Sequence, residues 1–264
     1  MRLCVQEQHL PGTGMAEKWA VASAWGFTGI ELRGKGDHAL AARLPELRRA
    51  RDAGVVMPTV CVEMDHFVGD FDAGRREDAV VQLCSQLDVM AELGGTGVTT
   101  PASWGMFSTR LPPFVPPRTP EEDRTVLVDT LGRVAAHAER VGTTLLLEPL
   151  NRYEDHMVNR LDQGVAVVDA VGSRALRLTA DTFHMNIEET DMVDALHRAA
   201  PYLGHVQLSD SNRLEPGAGH LDLAPLLAVL RADGYGGDLA VESRLSGAAA
   251  EVLPRAAALV RELW

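Results

Sequence analysis

Short apolar runs alternate with longer amphipathic stretches along the chain, and the alternation repeats about eight times with no low-complexity linker between units. The runs are RLCVQEQ (2–8), GIELR (29–33), VMPTVCVEM (56–64), GTGVTT (95–100), TLLLEPL (144–150), LRLTADTFH (176–184), GHVQLSD (204–210) and DLAVESR (238–244). Their length and their Val, Leu and Thr content predict strands. Segments 39–53, 75–93, 120–141 and 221–233 predict helices. In the third, Leu127, Leu131, Val134 and Ala138 recur at i, i+4, i+7 and i+11, which places them on one helical face.

Eight strand–helix units in a chain of this length predict a (β/α)8 barrel, read as one domain over residues 1–264. An open doubly wound sheet uses fewer units and a glycine-rich first turn, and neither GxGxxG nor GxxxxGK[ST] occurs. One long irregular stretch, SWGMFSTRLPPFVPPRTP (103–120), carries five prolines among apolar residues. That composition predicts either a semi-rigid flap over the barrel mouth or a surface excursion without function. Its Trp104 and Phe107 read equally as an apolar wall for a ligand and as pins for the loop.

The net charge of −12 disfavours nucleic acid and anionic membrane as partners and leaves small soluble molecules. Three cysteines, Cys4, Cys61 and Cys84, form no CxxC pair, which argues against a disulfide framework and a structural zinc site. The first residues lack an apolar signal core, and no run approaches the roughly 18 apolar residues that span a bilayer. A cytoplasmic protein is expected.

Strand ends of a barrel converge on one face, and that face carries the chemistry. Four consecutive predicted strands end there in an oxygen-bearing side chain: Glu148, Asp181, Gln207 and Glu242. Taken singly, each reads as a solvated cap or ion-pair partner. Together they place three carboxylates at one mouth, and a divalent cation compensates that charge. Oxygen ligands suit Mn²⁺ best, with Mg²⁺ or Co²⁺ as alternatives.

The segments EPLNRYEDH, DTFHMNIEE, GHVQLSDSNRLEPGAGH and VES resemble, in that order, the motif series of the xylose-isomerase-like sugar isomerase and epimerase barrels. They are especially similar to the ketose 3-epimerases of the D-tagatose 3-epimerase type. The resemblance is strong over the second half of the chain and rests on strand–helix order in the first. It implies that Glu148, Asp181, Gln207 and Glu242 hold the metal and that Glu154, His184 and Arg213 contact substrate oxygens. It also implies a homodimer or homotetramer. One position departs: the ketose 3-epimerases have His where this chain has Gln207, while hydroxypyruvate isomerases of the superfamily have Gln. His205, on the same strand face, is a fallback ligand.

A metal flanked by two glutamates suits proton transfer on the carbon beside a carbonyl, through a metal-stabilised enediolate. In a 3-epimerase of a small polyhydroxy ketone, Glu148 and Glu242 are the catalytic pair, one removing the proton and the other returning it on the opposite face. Returned to the adjacent carbon, the proton makes the same parts a hydroxypyruvate-type aldose–ketose isomerase. C-glycoside deglycosidases use similar parts for elimination, and endonuclease IV-like nucleases share some metal positions but fit this acidic chain poorly. Glu31, Arg33 and His66 fall near strand ends and are further pocket candidates. Mouth ion pairs for Glu31 and Arg33, and a capping or packed His66, are the competing readings.

Overall fold

The computed structural model describes residues 1–106 and 115–264. Phe107 and the middle of the proline-rich stretch lie outside the described residues. Eight strands form a closed barrel in sequence order: β1 (Arg2–Gln6), β2 (Gly29–Lys35), β3 (Thr59–Glu63), β4 (Gly97–Pro101), β5 (Thr144–Glu148), β6 (Leu176–Asp181), β7 (Leu203–Leu208) and β8 (Asp238–Val241). Every pair is parallel, and β8 closes on β1 with Val5 opposite Val241. Ten helices surround it among the described residues: α1 (Met15–Ala24), α2 (Ala39–Ala42), α3 (Leu44–Asp52), α4 (Ala73–Leu93), α5 (Pro120–Val141), α6 (Leu161–Val171), α7 (Thr182–Glu188), α8 (Met192–Ala199), α9 (Leu223–Ala232) and α10 (Ala249–Leu263). The expected single-domain (β/α)8 barrel is the fold.

Period-two alternation explains why the strands look apolar yet enclose polar groups. Val206, Leu208, Leu239 and Val241 are buried in the core. Their neighbours His205 and Gln207 instead reach Glu31 across the barrel, and Thr99 meets Thr179 there at 3.1 Å. On α5 the anticipated stripe of Leu127, Leu131, Val134 and Ala138 is buried. That helix starts in a Thr119–Glu122 capping box and stops at Gly142, whose φ of 77° suits a residue without Cβ.

Two expected elements change. The helix over 39–53 is two helices, because Pro45 lacks the N–H that a continuous helix bonds back to residue 41; α3 restarts with that proline in its first turn. The strand over 176–184 stops at Asp181, whose Oδ1 accepts the Phe183 N–H at 2.7 Å and starts α7. His184 therefore stands on a helix. No helix among the described residues is long and apolar enough to cross a membrane.

Candidate active site

Glu148 ends β5, Asp181 ends β6, Gln207 is the penultimate residue of β7, and Glu242 follows β8 by one residue. All four therefore reach the same mouth, with Asp181 directly opposite Gln207 in the ladder. A cavity of about 470 Å³ opens above them, lined by Glu148, Glu154, His184, Arg213 and Glu242. Met64, Phe67, Trp104 and Leu150 give it an apolar side that sequence reasoning found only at Trp104.

Burial raises the Glu148 carboxyl well above its usual range, with repulsion from Glu242 and Asp181 adding to the effect. Burial likewise pushes Glu242 up to about 7. Arg213 offsets part of this charge: Nη1 donates to Asp181 Oδ2 at 2.5 Å and Nη2 lies 3.0 Å from Glu242 Oε1. Burial alone would lower the guanidinium's pKa, but Asp181 and Glu242 outweigh it and raise it. Arg213 has a left-handed backbone, φ 63°, and its guanidinium lies 5.0 Å from the centre of the Phe183 ring. A non-glycine residue held in that region at a site is strain that its surroundings must impose.

His184 has a defined tautomer. Its Nδ1 accepts the Asn151 backbone N–H at 3.0 Å, so the neutral ring carries its proton on Nε2. That nitrogen lies 3.7 Å from Glu148 Oε1 and 3.9 Å from Asp181 Oδ2, and burial lowers the ring's pKa. Asn151, which the sequence reading passed over, also donates through Nδ2 to Glu154 Oε1 at 3.1 Å. Trp104 Nε1 donates to the other Glu154 oxygen at 3.1 Å, so Glu154 is held between the β5 loop and the start of the proline-rich stretch.

Glu31 is fully buried inside the barrel, where sequence reasoning weighed a pocket position or a mouth ion pair. It accepts from Gln6 (3.2 Å), Thr59 (2.8 Å) and Gln207 (3.1 Å), and lies 2.8 Å from His205 Nε2. The Gln207 amide nitrogen is thereby taken, and its carbonyl oxygen is buried without a hydrogen-bond partner among the described residues. His205 is committed to Glu31 one layer below the mouth. Arg33, weighed as a pocket residue or a mouth ion pair, lies 2.5 Å from Glu63 in an ion pair. His66 is not among the residues lining the cavity; its Nδ1 lies 2.7 Å from Asp78 on α4.

Among the described residues, two groups of metal-competent atoms each gather within 4.8 Å: Glu148, Asp181 and His184 in one, and Glu31, Cys61 and Glu242 in the other. The His184 Nε2 proton and the four partners of Glu31 take those two residues out of the donor set. Among the described residues Glu148 Oε1, Gln207 Oε1 and Glu242 Oε2 are buried without hydrogen-bond partners, and with Asp181 they make an all-oxygen set that fits a hard divalent cation.

Residues 19–263 match the model of the xylose isomerase-like TIM barrel family. The chain belongs to that family. This xylose isomerase-like barrel is 37% identical over 246 residues to a 3-dehydro-D-guloside 4-epimerase of Escherichia coli K12, covering 93% of each chain. It is 31% identical over 198 residues to a ketose 3-epimerase of Arthrobacter globiformis, covering 73% of this chain and 66% of that one. The crystal structure of an apo 3-keto-D-glucoside 4-epimerase from E. coli superposes with a TM-score of 0.94 at 36% identity over 99% of both chains. With relatives of this kind, the xylose isomerase-like barrel is an enzyme of the isomerase type.

Proposed function

We propose that this enzyme inverts a carbon beside the ketone of a sugar, and that its substrate is a 3-keto hexoside inverted at C4. The observation that carries the reading is the placement of two carboxylates, the buried Glu148 at the end of β5 and the half-buried Glu242 just after β8, in the wall of one cavity. A planar enediolate between them offers one face to each. Ketose 3-epimerisation, which the sequence motifs favour, asks the same parts to act on a free ketose. The 4-epimerase relative, alike over 93% of both chains, supports the keto-hexoside.

In this reading Glu148, Asp181, Gln207 and Glu242 hold a divalent ion, Mn²⁺ being the best fit to four oxygen donors. When bound, the ion polarises the ketone and offsets the charge of the neighbouring carboxylates. Glu148 removes the proton from the carbon beside the ketone, and Glu242 delivers one to the opposite face. The reverse direction exchanges their roles. His184 donates its Nε2 proton toward the oxygen on which negative charge develops, and Arg213 supports that charge from the other side. Glu154 orients a substrate hydroxyl from its position between Asn151 and Trp104.

Incubation in D₂O with Mn²⁺ and a panel of 3-keto glucoside, D-fructose, hydroxypyruvate and an oxidised C-glycoside tests this. Deuterium is expected at C4 of the keto glucoside, with Glu148→Gln and Glu242→Gln each slowing interconversion by about 10²–10⁴-fold. Exchange at C3 of fructose alone selects ketose 3-epimerisation. Cleavage of the C-glycoside without exchange into any sugar refutes the epimerase reading.

A further inference from the structure

The reaction cavity does not end at Glu242 and Arg213. On their far side the mouth opens into a second lobe of about 480 Å³, and the two lobes share Glu154, Arg213 and Glu242. Gln8, Phe183, Asn212, Ser243 and Arg244 line the second lobe but not the first. Glu148 lines only the first, so a reacting carbon placed between the two glutamates has the second lobe beside it.

The second lobe has the fittings of a binding site. Ser243 is 9% exposed, and its Oγ is buried without a hydrogen-bond partner among the described residues. Gln8 is exposed and donates through Nε2 to Gln6 Oε1 at 2.5 Å. Arg244 is exposed, and its guanidinium makes no ion pair among the described residues. Its backbone N–H donates to the Arg213 carbonyl at 2.7 Å, which locks the loops after β7 and β8 together beneath the lobe. Hydroxyl, amide and guanidinium groups with one aromatic ring match a polyhydroxylated ring; a purely apolar group would leave them unpaired.

We propose that the second lobe is the subsite for the aglycone of a keto glycoside, and that this aglycone is itself a hydroxylated ring. The inference rests on the epimerisation proposed above and names the other half of its substrate. A free ketose has nothing to place there, whereas a disaccharide oxidised on one ring fills both lobes.

The test compares methyl 3-keto-glucoside with a 3-keto disaccharide, in the Mn²⁺-loaded wild type and in Gln8→Ala/Arg244→Ala, two exposed positions whose truncation leaves the core intact. The expected wild-type preference for the disaccharide is about tenfold in kcat/KM, expressed mainly in KM, because binding remote from the reacting carbon is uniform binding. The double variant is expected to lose most of that preference. Equal kcat/KM for the two substrates in the wild type, or an undiminished preference in the variant, overturns the subsite. Saturation-transfer NMR with the unoxidised disaccharide decides the subsite separately from turnover. Both rings are expected to receive saturation in the wild type, and one of them to lose it in the variant. If neither keto sugar exchanges deuterium, the epimerase reading fails while the NMR result still stands for or against the second lobe; saturation confined to one ring in the wild type, or unchanged in the variant, overturns it.

Discussion

Gln207 can present either end of its amide, and its hydrogen bond to Glu31 chooses between them. Glu31, acceptor-only when ionised, takes the Nε2 hydrogen and leaves the oxygen buried without a hydrogen-bond partner among the described residues. Burial alone would raise the Glu31 carboxyl, but His205, Thr59 and Gln207 outweigh it and lower it, so the acceptor state persists. Glu31→Gln can donate to the Gln207 oxygen and turn the nitrogen outward. The expected result is Mn²⁺ affinity lowered about 10–100-fold, the usual size for loss of an outer partner, measured by calorimetric titration with apo folding checked by circular dichroism. Unchanged affinity would mean that Gln207 orients itself. The residue types of this network were legible in GIELR and GHVQLSD, but their meeting was not, because β2 and β7 touch only across a closed barrel.

At the scale of elements, the mouth's first loop is clamped by Glu7 in the 3-10 turn after β1. Arg43, between α2 and α3, gives Glu7 two hydrogen bonds of 2.9 and 2.8 Å, and Lys18 of α1 gives one of 2.8 Å. Burial would raise the Glu7 carboxyl, but these cations outweigh it and hold it at about 2, against 4.5 unfolded. A folded pKa below the unfolded one means a contribution present above pH 4.5 and lost as pH falls toward 2. Glu7→Gln is therefore expected to cost on the order of 3 kcal/mol at neutral pH, the gap to wild type closing through that window in urea titrations. Element type was legible wherever a strong period or cap was present, as on α5. It failed at Pro45 and at Asp181, where a missing N–H and a side-chain cap overrode the apolar run. The second failure matters for the site: helical geometry, not strand geometry, brings His184 within 3.9 Å of Asp181.

For the whole molecule, the four proposed oxygen donors lie at or just past the ends of β5 to β8, so a cation bound there would tie half of the barrel together. At a hundredfold excess over Kd, Mn²⁺ is expected to add about 2.7 kcal/mol, which raises Tm by roughly 5–10 °C for a chain of this size. EDTA should remove the rise, and Asp181→Asn should abolish most of it. Burial holds Glu242 up near 7, and protons compete with the ion for the same oxygens. Affinity is thus expected to fall as pH drops through about 7, with proton release on binding detected by titration in buffers of different ionisation enthalpy. PH-independent binding would place the ion elsewhere.

The amino-acid sequence by itself determined the barrel, through eight repeats of a strand period and a helix period, and marked Glu148, Asp181, Gln207 and Glu242 by their place at strand ends. Those are local signals, carried by neighbours in the chain. Tertiary structure alone decided which end of the Gln207 amide Glu31 takes, that Glu31 and His205 pair inside the barrel, that Asn151 sets the tautomer of His184, and that His66 turns to α4. It alone shows a second lobe beyond Glu242. Each depends on residues far apart in sequence, and their distances exist only once the strands have closed on one another.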